Sequence, residues 1–209
     1  MTPIYISMPD ASFRKGLARD YWETERLPPP ATCYGFLLSL IGEFDRESHL
    51  GVRITSALLS KPKVSDILRT AWRMKNKQFA VGNSVNKTVV RQQVLTDLRL
   101  VVWIDSSQET QSPTLEQRVQ EAMRNPESVE RFGVLYFGES HNLVDIVKLL
   151  DTSCNPWQDV FLLRERGKMS LPVWVDHVGT TGTKLACGDI VRTAVIAPRL
   201  EEMPVISNV

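Results

Sequence analysis

The sequence has no apolar run approaching the roughly 18 residues that a membrane-spanning helix needs. Its opening residues, MTPIYISMPD, lack the basic region and apolar core of a secretion signal. Its three cysteines, Cys33, Cys154 and Cys187, are widely spread, and no CxxC or Cys/His cluster has zinc-ligand spacing. These absences predict a cytoplasmic globular protein with buried, reduced thiols, no membrane contact and no metal site.

Signatures of catalysis are also absent. The three histidines, His49, His141 and His177, have no partner pattern around them, and the chain contains no GxSxG or HExxH sequence. A metal-independent ribonuclease needs only a base and a cation near a 2′-hydroxyl group, so a nuclease remains the alternative to a binding protein. The sequence favours a protein that is not an enzyme.

The net charge is small, but the charged residues are unevenly distributed. The formal net charge is +1. Residues 1–104 carry 15 Lys and Arg against 9 Asp and Glu, whereas residues 105–209 carry 10 against 15. A basic half beside an acidic half predicts a side that faces a polyanion, and it is also compatible with docking to another subunit.

Hydrophobic periodicity predicts a mixed α+β chain. The first part begins with a predicted strand over Pro3–Met8 and a helix over Ala31–Phe44 that is preceded by three prolines. Strands over Val52–Leu59 and Leu98–Asp105 follow. A second helix begins at a capping box formed by Thr114 and Gln117 and ends at Asn125 and Pro126, and a strand over Gly133–Phe137 comes last. This order is typical of a ferredoxin-like, RRM-like domain over residues 1–150.

The remaining residues, 151–209, have a different pattern. Short strand candidates over Val160–Arg164, Pro172–Val178 and Ile190–Ala197 alternate with polar turns. We therefore expect a small β-rich C-terminal extension to the first domain.

An insertion over residues 73–99 separates two predicted strands and is strongly basic. Asp97 is its single acid, and amide side chains are frequent; its cations are Arg73, Lys75, Lys77, Lys87, Arg91 and Arg99. Cations, amide donors and an apolar wedge such as Phe79 are the groups that bind single-stranded RNA. We predict a projecting hairpin that contacts RNA, the alternative being a solvated charged loop.

A second basic cluster lies near the N-terminus. It combines cations with aromatic rings and consists of Phe13, Arg14, Lys15, Arg19, Tyr21, Trp22 and Arg26. The acids Asp20, Glu23 and Glu25 are close enough along the chain to pair with these cations, so ordinary surface ion pairing is the competing interpretation.

Two stretches resemble the Cas5 family of the RAMP superfamily. ASFRKG followed by ERLPPPATCYGFLLSLIGE is similar to the family's N-terminal Phe-Arg element, PPxT sequence and Gly-Leu-Leu helix. TLEQRVQEAMRNPESVERFGVLYFGESHNLVDIV resembles the family's helix, Asn-Pro turn and Gly-Glu-Ser strand in the same order. Together these matches cover most of residues 1–150, while the C-terminal part matches weakly.

The resemblance implies a subunit of a type I CRISPR Cascade, with a ferredoxin-like RNA-binding fold and a protruding thumb. Its partners would be the 5′ handle of the crRNA and the backbone and large subunits, with target DNA nearby and no cofactor. The RNA-binding residues expected from the two basic regions and from the resemblance are Phe13, Arg14, Arg19, Arg26, Lys75, Lys77, Phe79, Lys87, Arg91 and Arg99.

One branch of this family processes its own precursor RNA with a tyrosine and a Lys-His pair. No Lys-His dipeptide occurs in this chain, and His141 stands in Ser-His-Asn, although Tyr34 keeps self-processing open. The resemblance therefore implies a non-catalytic subunit that binds the handle and helps to assemble the complex. The alternatives are an endoribonuclease of the same fold and a subunit that contacts only proteins.

Overall fold

The structure is a computed structural model that describes residues 1–16, 21–72, 76–80, 82–154, 156–176 and 181–208. Of the residues singled out in the sequence, Arg19, Arg73, Lys75 and His177 lie outside the described residues. Among the described residues, no helix is both long and apolar enough to span a membrane.

The described residues form nine strands and two longer helices. They are β1 (Thr2–Ala11), β2 (Tyr21–Trp22), α1 (Pro30–Leu40), β3 (Arg53–Leu58), β4 (Lys63–Trp72), β5 (Lys87–Asp105), α2 (Leu115–Arg124), β6 (Ile146–Leu149), β7 (Trp157–Leu163), β8 (Met169–Trp174) and β9 (Lys184–Ala194). The chain is therefore mixed α and β, as its hydrophobic periodicity predicts.

One large sheet contains all nine strands. Its main path has the order β6-β1-β5-β3-β7-β9-β8, with each neighbouring pair antiparallel, and β2 and β4 both pair with the outer part of β5. The strands β7, β8 and β9 continue the sheet beyond β3, because β7 pairs with β3 at Ala57 and Leu58. Residues 157–194 therefore share a sheet with the N-terminal strands.

The two faces of the sheet bury different clusters. Alternate residues of β1 and β5, such as Ile4, Ile6 and Leu100, pack against α1 and α2 in the larger cluster. On the opposite face, Trp103 and Val101 lie under Val195 and Met203 from the C-terminal segment. The C-terminal segment thereby closes the middle of the face that the helices leave open.

The first helix ends earlier than predicted. Gly42 has a φ of +70°, its N–H donates to the Ser39 carbonyl, and the Glu43 N–H donates to the Leu38 carbonyl, which is the Schellman arrangement. A Cβ at Gly42 would lie 2.1 Å from the Glu130 carbonyl oxygen, so only glycine fits there. The prediction that the helix runs to Phe44 is therefore wrong, and Phe44 is exposed.

The second helix matches its prediction closely. Thr114 Oγ1 accepts from the Gln117 N–H at 3.3 Å, and the Gln117 side chain accepts from the Thr114 N–H at 3.0 Å. This reciprocal capping box satisfies two N–H groups that the first turn of a helix leaves unpaired. Asn125 caps the other end, as predicted.

The predicted strand over Gly133–Phe137 is wrong. In this stretch only Tyr136 makes a bridge, to Leu143, and Phe132 and Val134 are exposed. The strand beside β1 is β6 instead, which begins at Ile146. The apolar residues of the GVLYF sequence therefore belong to a loop that only partly reaches the core, through Phe137.

Candidate nucleic-acid interface

A long hairpin extends from the sheet beside β1, and we call its paired residues 63–72 and 87–96 together with the tip between them the thumb. The pairing of β4 with β5 runs from Lys63 opposite Thr96 to Trp72 opposite Lys87. The basic composition predicts one insertion over residues 73–99, and none of the predicted strands covers residues 63–72. In the structure, residues 87–99 of the predicted segment make up about two thirds of β5, and the strand that pairs with residues 87–96 is β4.

One face of the thumb combines apolar and cationic side chains. Residues directly opposite each other in an antiparallel pair point to the same face, which places Leu68 beside Arg91 and Trp72 beside Lys87. All four side chains are exposed, and the Lys87 ammonium nitrogen lies 4.8 Å from the centre of the Trp72 ring. A cation held against an exposed indole ring suits contact with a base and its phosphate.

The tip of the thumb is organised by a buried amide. Asn86 accepts from the Asn76 N–H at 3.0 Å, and its side-chain nitrogen donates to the carbonyls of Asn76, Phe79 and Ala80. This leaves Phe79 41% exposed and Lys77 exposed on the tip. The frequent amide side chains of this segment were expected to donate to RNA. The amide of Asn86 instead holds the loop that keeps Lys77 and Phe79 exposed.

Residues 21–29, which we call the strap, connect the thumb with the C-terminal strands. Tyr21 and Trp22 pair with β5 at Arg91 and Gln92, and the Thr24 N–H donates to the Gln93 side chain at 3.2 Å. At the strap's other end, Arg26 Nη2 donates to Asp159 Oδ2 on β7 at 2.9 Å. The strap thus joins two parts of the sheet that are distant in sequence.

A second cation–aromatic pair lies where the N-terminal segment meets the strap. The guanidinium carbon of Arg14 is 4.0 Å from the centre of the Trp22 ring, and Arg14 forms an isolated bridge with Thr24. Of the acids expected to pair with these cations, Glu25 has its pKa raised by burial, with Lys15 opposing that effect, and Asp20 lies outside the described residues. Arg14 remains exposed.

Two predicted RNA-binding residues have other environments. The ring of Phe13 is buried and packs edge-to-face on Phe137, with ring centres 5.7 Å apart. This ring supports the core and offers no face to a ligand. Arg99 alternates with the core residues Leu98 and Leu100 on β5, so it points to the opposite face of the sheet, where it pairs with Asp97 at 3.0 Å.

The structure explains why Tyr34 is a poor candidate for catalysis. Its hydroxyl donates to the Arg46 carbonyl at 2.8 Å, and the residue is buried. Burial raises the pKa of Tyr34 to about 12, with nearby carboxylates adding to the effect. A phenol held in this way does not ionise near neutral pH, so it cannot serve as a base there.

The two described histidines sit in contrasting polar clusters. His49 is fully buried, where its Nδ1 contacts Glu109 and its Nε2 lies 2.9 Å from Arg118 Nη1. Because Arg118 can only donate, His49 Nε2 must accept, which leaves the ring proton on Nδ1 to be donated to Glu109. This is a structural cluster closed to ligands.

His141 is half-exposed beside the thumb. Its Nε2 lies 3.3 Å from Arg69 Nη1, and Arg69 also donates to Glu139 Oε2 at 2.7 Å. The described residues contain no group of three His, Cys, Asp or Glu side chains suited to hold a metal ion. The groups beside the His141 imidazole are the Arg69 guanidinium and the Glu139 carboxylate.

The residues expected to bind RNA do not include Trp22, although it belongs to the N-terminal basic cluster, or Trp72. Each tryptophan ends a strand of the sheet, and each lies against a cation that is distant along the chain. Trp22 lies among the cations of the N-terminal cluster, which was the available signal, whereas Trp72 stands one residue before the 73–99 insertion. Neither pairing could be identified before the strand register was known.

Known proteins resemble this chain in fold and in sequence. No protein-family model matches the chain. A chain of a CRISPR RNA-guided surveillance complex superimposes with a TM-score of 0.64 at 13% identity, covering 93% of this chain and 90% of the other. A crystal structure of a Cas protein gives a TM-score of 0.54 at 12% identity, covering 93% and 94%. The fold is therefore one found among CRISPR-associated proteins.

Sequence similarity identifies the family. The chain is 48% identical over 206 residues to the CRISPR-associated protein Cas5 of Myxococcus xanthus strain DK1622, covering 98% of this chain and 96% of the relative. The chain belongs to the Cas5 family of CRISPR-associated proteins. This confirms the resemblance seen in its two N-terminal stretches.

Proposed function

We propose that this protein is a non-catalytic subunit of a type I Cascade that binds and caps the 5′ handle of crRNA. It acts by positioning RNA and joining the backbone and large subunits, in the cytoplasm and with target DNA nearby. Membership of the Cas5 family and the likeness to a chain of a surveillance complex support this proposal.

The strand order supports the ferredoxin-like part of the proposal. Four strands, β6, β1, β5 and β3, lie in that spatial order and occur in the chain as β1, β3, β5 and β6. With α1 after β1 and α2 after β5, this is the βαββαβ arrangement of a ferredoxin-like domain. We keep residues 1–150 as this domain, and 151–209 as its extension.

The single observation that carries the RNA-binding proposal is the Trp72–Lys87 pair on the exposed face of the thumb. An exposed indole ring and a cation held together match the two surfaces of an unpaired nucleotide, its base and its phosphate. Arg91 lies on the same face, two residues along β5 from Val89 and four from Lys87. A charged loop whose side chains contact only water would gain nothing from an exposed indole ring beside its lysine.

The test is incubation of the full-length protein with labelled repeat RNA in EDTA. Tight binding without cleavage supports the proposal. Cleavage would favour an endoribonuclease, and a failure to bind would favour a subunit that contacts only proteins. Repetition at several salt concentrations separates charge contacts from stacking, because only charge contacts release counterions.

The endoribonuclease is retained as a second candidate because of His141. This imidazole is half-exposed, lies beside the Arg69 guanidinium and borders the thumb, so it offers a base and a cation near bound RNA. If the candidate is correct, His141→Ala abolishes cleavage in EDTA while binding persists. An uncleaved RNA with the unchanged protein removes this candidate.

A further inference from the structure

An exposed tryptophan lies at the start of β7, outside the thumb. Trp157 begins β7 and is 54% exposed, and the Arg192 guanidinium carbon on β9 lies 5.9 Å from the centre of its ring. Isolated apolar side chains on a surface are common and need no explanation. A large planar ring beside a cation is less ordinary, since it offers a stacking surface next to a charge.

The cations beside Trp157 are held in place by one carboxylate. Asp159 Oδ2 accepts from Arg26 at 2.9 Å, and its Oδ1 lies 3.3 Å from Arg192 Nη1. The Asp159 side chain is largely buried, whereas Arg26 and Arg192 are 56% and 55% exposed. Each guanidinium has five N–H donors, so most of them remain directed at solvent from a fixed position.

This group has a surplus of positive charge and a cleft. One carboxylate neutralises one of the two arginines. The exposed Lys61 lines a cleft of about 190 Å³ together with Trp157, Asp159 and Arg192, and Arg26 is linked to this cleft by its hydrogen bond to Asp159. A site of this kind suits a ligand with a flat ring and a negative charge. Each guanidinium can bind a phosphate group through two N–H donors.

We infer that Trp157, Arg26 and Arg192 form a nucleotide-binding site, in which an unpaired RNA base stacks on the indole ring while the two arginines bind the adjacent phosphate. This inference rests on the proposed RNA-binding function and adds a site on the C-terminal strands. The strap supports the continuity of the two surfaces, because it hydrogen-bonds to the thumb through Thr24 and to Asp159 through Arg26.

Single-stranded RNA fits this site better than an acidic peptide does. A carboxylate of a partner protein could pair with Arg26 or Arg192, but it would make no use of the exposed ring beside them. A nucleotide uses both, because every base has a face that stacks on an aromatic side chain. RNA is therefore the ligand to which the inference commits.

The experiment measures binding of fluorescein-labelled single-stranded repeat RNA to the full-length protein by anisotropy. Trp157→Ala should weaken affinity by about 5- to 150-fold, the range that base–aromatic stacking produces, with the salt slope unchanged. Trp157→Phe should restore most of the affinity. Arg192→Ala should weaken binding and lower the salt slope by about 0.7. Phe132→Ala, which truncates a ring that is 90% exposed on another loop, is the matched control and should bind normally.

Ultraviolet cross-linking to the same RNA, followed by mass spectrometry, supplies a readout that stability cannot alter. The peptide containing Trp157 should carry a nucleotide adduct, and thermal melting of each variant verifies the fold. If Trp72→Ala and Lys87→Ala weaken binding while Trp157→Ala and Arg192→Ala do not, this inference fails and the proposed function stands. If the unchanged protein does not bind RNA, both fail. Loss of binding to an oligoglutamate peptide in Arg192→Ala, with RNA binding intact, would overturn the inference in favour of a protein partner.

Discussion

Lys87 faces Trp72 as the last registered pair of the thumb, with its ammonium nitrogen 4.8 Å from the centre of the indole ring. The pair places a charge and a stacking surface at one point of the hairpin, just before the tip. The two contributions can be separated by experiment because salt screens the charge and leaves stacking nearly unaffected.

Trp72→Ala should therefore weaken binding of repeat RNA by about 1–3 kcal/mol with little change in its salt dependence. Lys87→Ala should instead reduce the slope of log affinity against log salt by about 0.7, the value for one phosphate contact on a single strand. Fluorescence anisotropy across a salt series measures both. Equal slopes for the unchanged protein and Lys87→Ala would contradict a phosphate contact at Lys87.

The tip of the thumb should depend on Asn86. Asn86→Ala removes the amide that bonds to the backbone of Asn76, Phe79 and Ala80, so the loop loses the contacts that define it. We expect faster proteolysis within residues 76–86 and weaker RNA binding, with global unfolding little changed. Limited proteolysis with mass spectrometry measures the first effect. Resistance equal to that of the unchanged protein would show that other contacts hold the tip.

Tyr34→Phe should affect stability and leave RNA chemistry untouched. The hydroxyl is lost, and the partly buried Arg46 carbonyl loses its donor, which should cost about 1 kcal/mol. Urea unfolding measures this loss, and the RNA incubation in EDTA measures processing. If the unchanged protein cleaves RNA and the Tyr34→Phe variant cleaves it more slowly, Tyr34 takes part in the chemistry despite its raised pKa.

Glu43 should contribute stability that is lost in acid. Its carboxylate accepts from Arg118 at 2.6 Å, and this hydrogen bond is the main reason that the pKa of Glu43 lies below its ordinary value of 4.5. A lowered folded-state pKa means that the stabilisation is complete above the unfolded-state pKa and disappears as pH falls through the folded-state value.

Glu43→Gln should thus lower the free energy of unfolding by about 1 kcal/mol at pH 7, since the pair is partly solvated. The difference from the unchanged protein should shrink as pH falls below about 4.5. Urea unfolding of both proteins at a series of pH values gives the comparison. A difference that stays constant or grows in acid would show that Glu43 is not charged in the folded protein.

The elements with unambiguous local signals are predictable from sequence. The continuous apolar run LRLVVWI predicts a central strand, and the Thr114–Gln117 capping box predicts the start of α2; both are confirmed. The end of α1 was also accessible, because Gly42 is the residue that a left-handed helix cap requires. The prediction extended the helix to Phe44 because apolar residues recur at helical spacing up to that position, although Gly42 ends the helix.

The strand β4 carries no such signal. Its residues are mostly exposed on both faces, so the alternation of apolar and polar residues that marks a half-buried strand is missing. Its pairing with β5 is fixed by the hairpin, which sequence spacing does not reveal. The GVLYF stretch shows the opposite case, where strand-forming residues lie in a loop because β6 occupies the position beside β1.

The candidate interface was predictable as composition but not as geometry. The basic, acid-poor thumb residues could be named from sequence, whereas the partners of Arg26 and Lys87 lie 133 and 15 residues away along the chain. Arg118 illustrates the same limit. It belongs to the acidic half by sequence, yet it bonds to Glu43 and to buried His49, so its removal would disturb the fold.

The salt dependence of RNA binding by a thumb variant tests the central claim most directly. Lys77, Lys87 and Arg91 are replaced together by Ala, and the control replaces the exposed Arg124, Arg166 and Arg199. The account predicts that the thumb variant binds repeat RNA more weakly, with a salt slope lower by about 2, while the control binds as the unchanged protein does. Unchanged affinity and slope in a folded thumb variant would contradict the account and leave the thumb as a solvated hairpin.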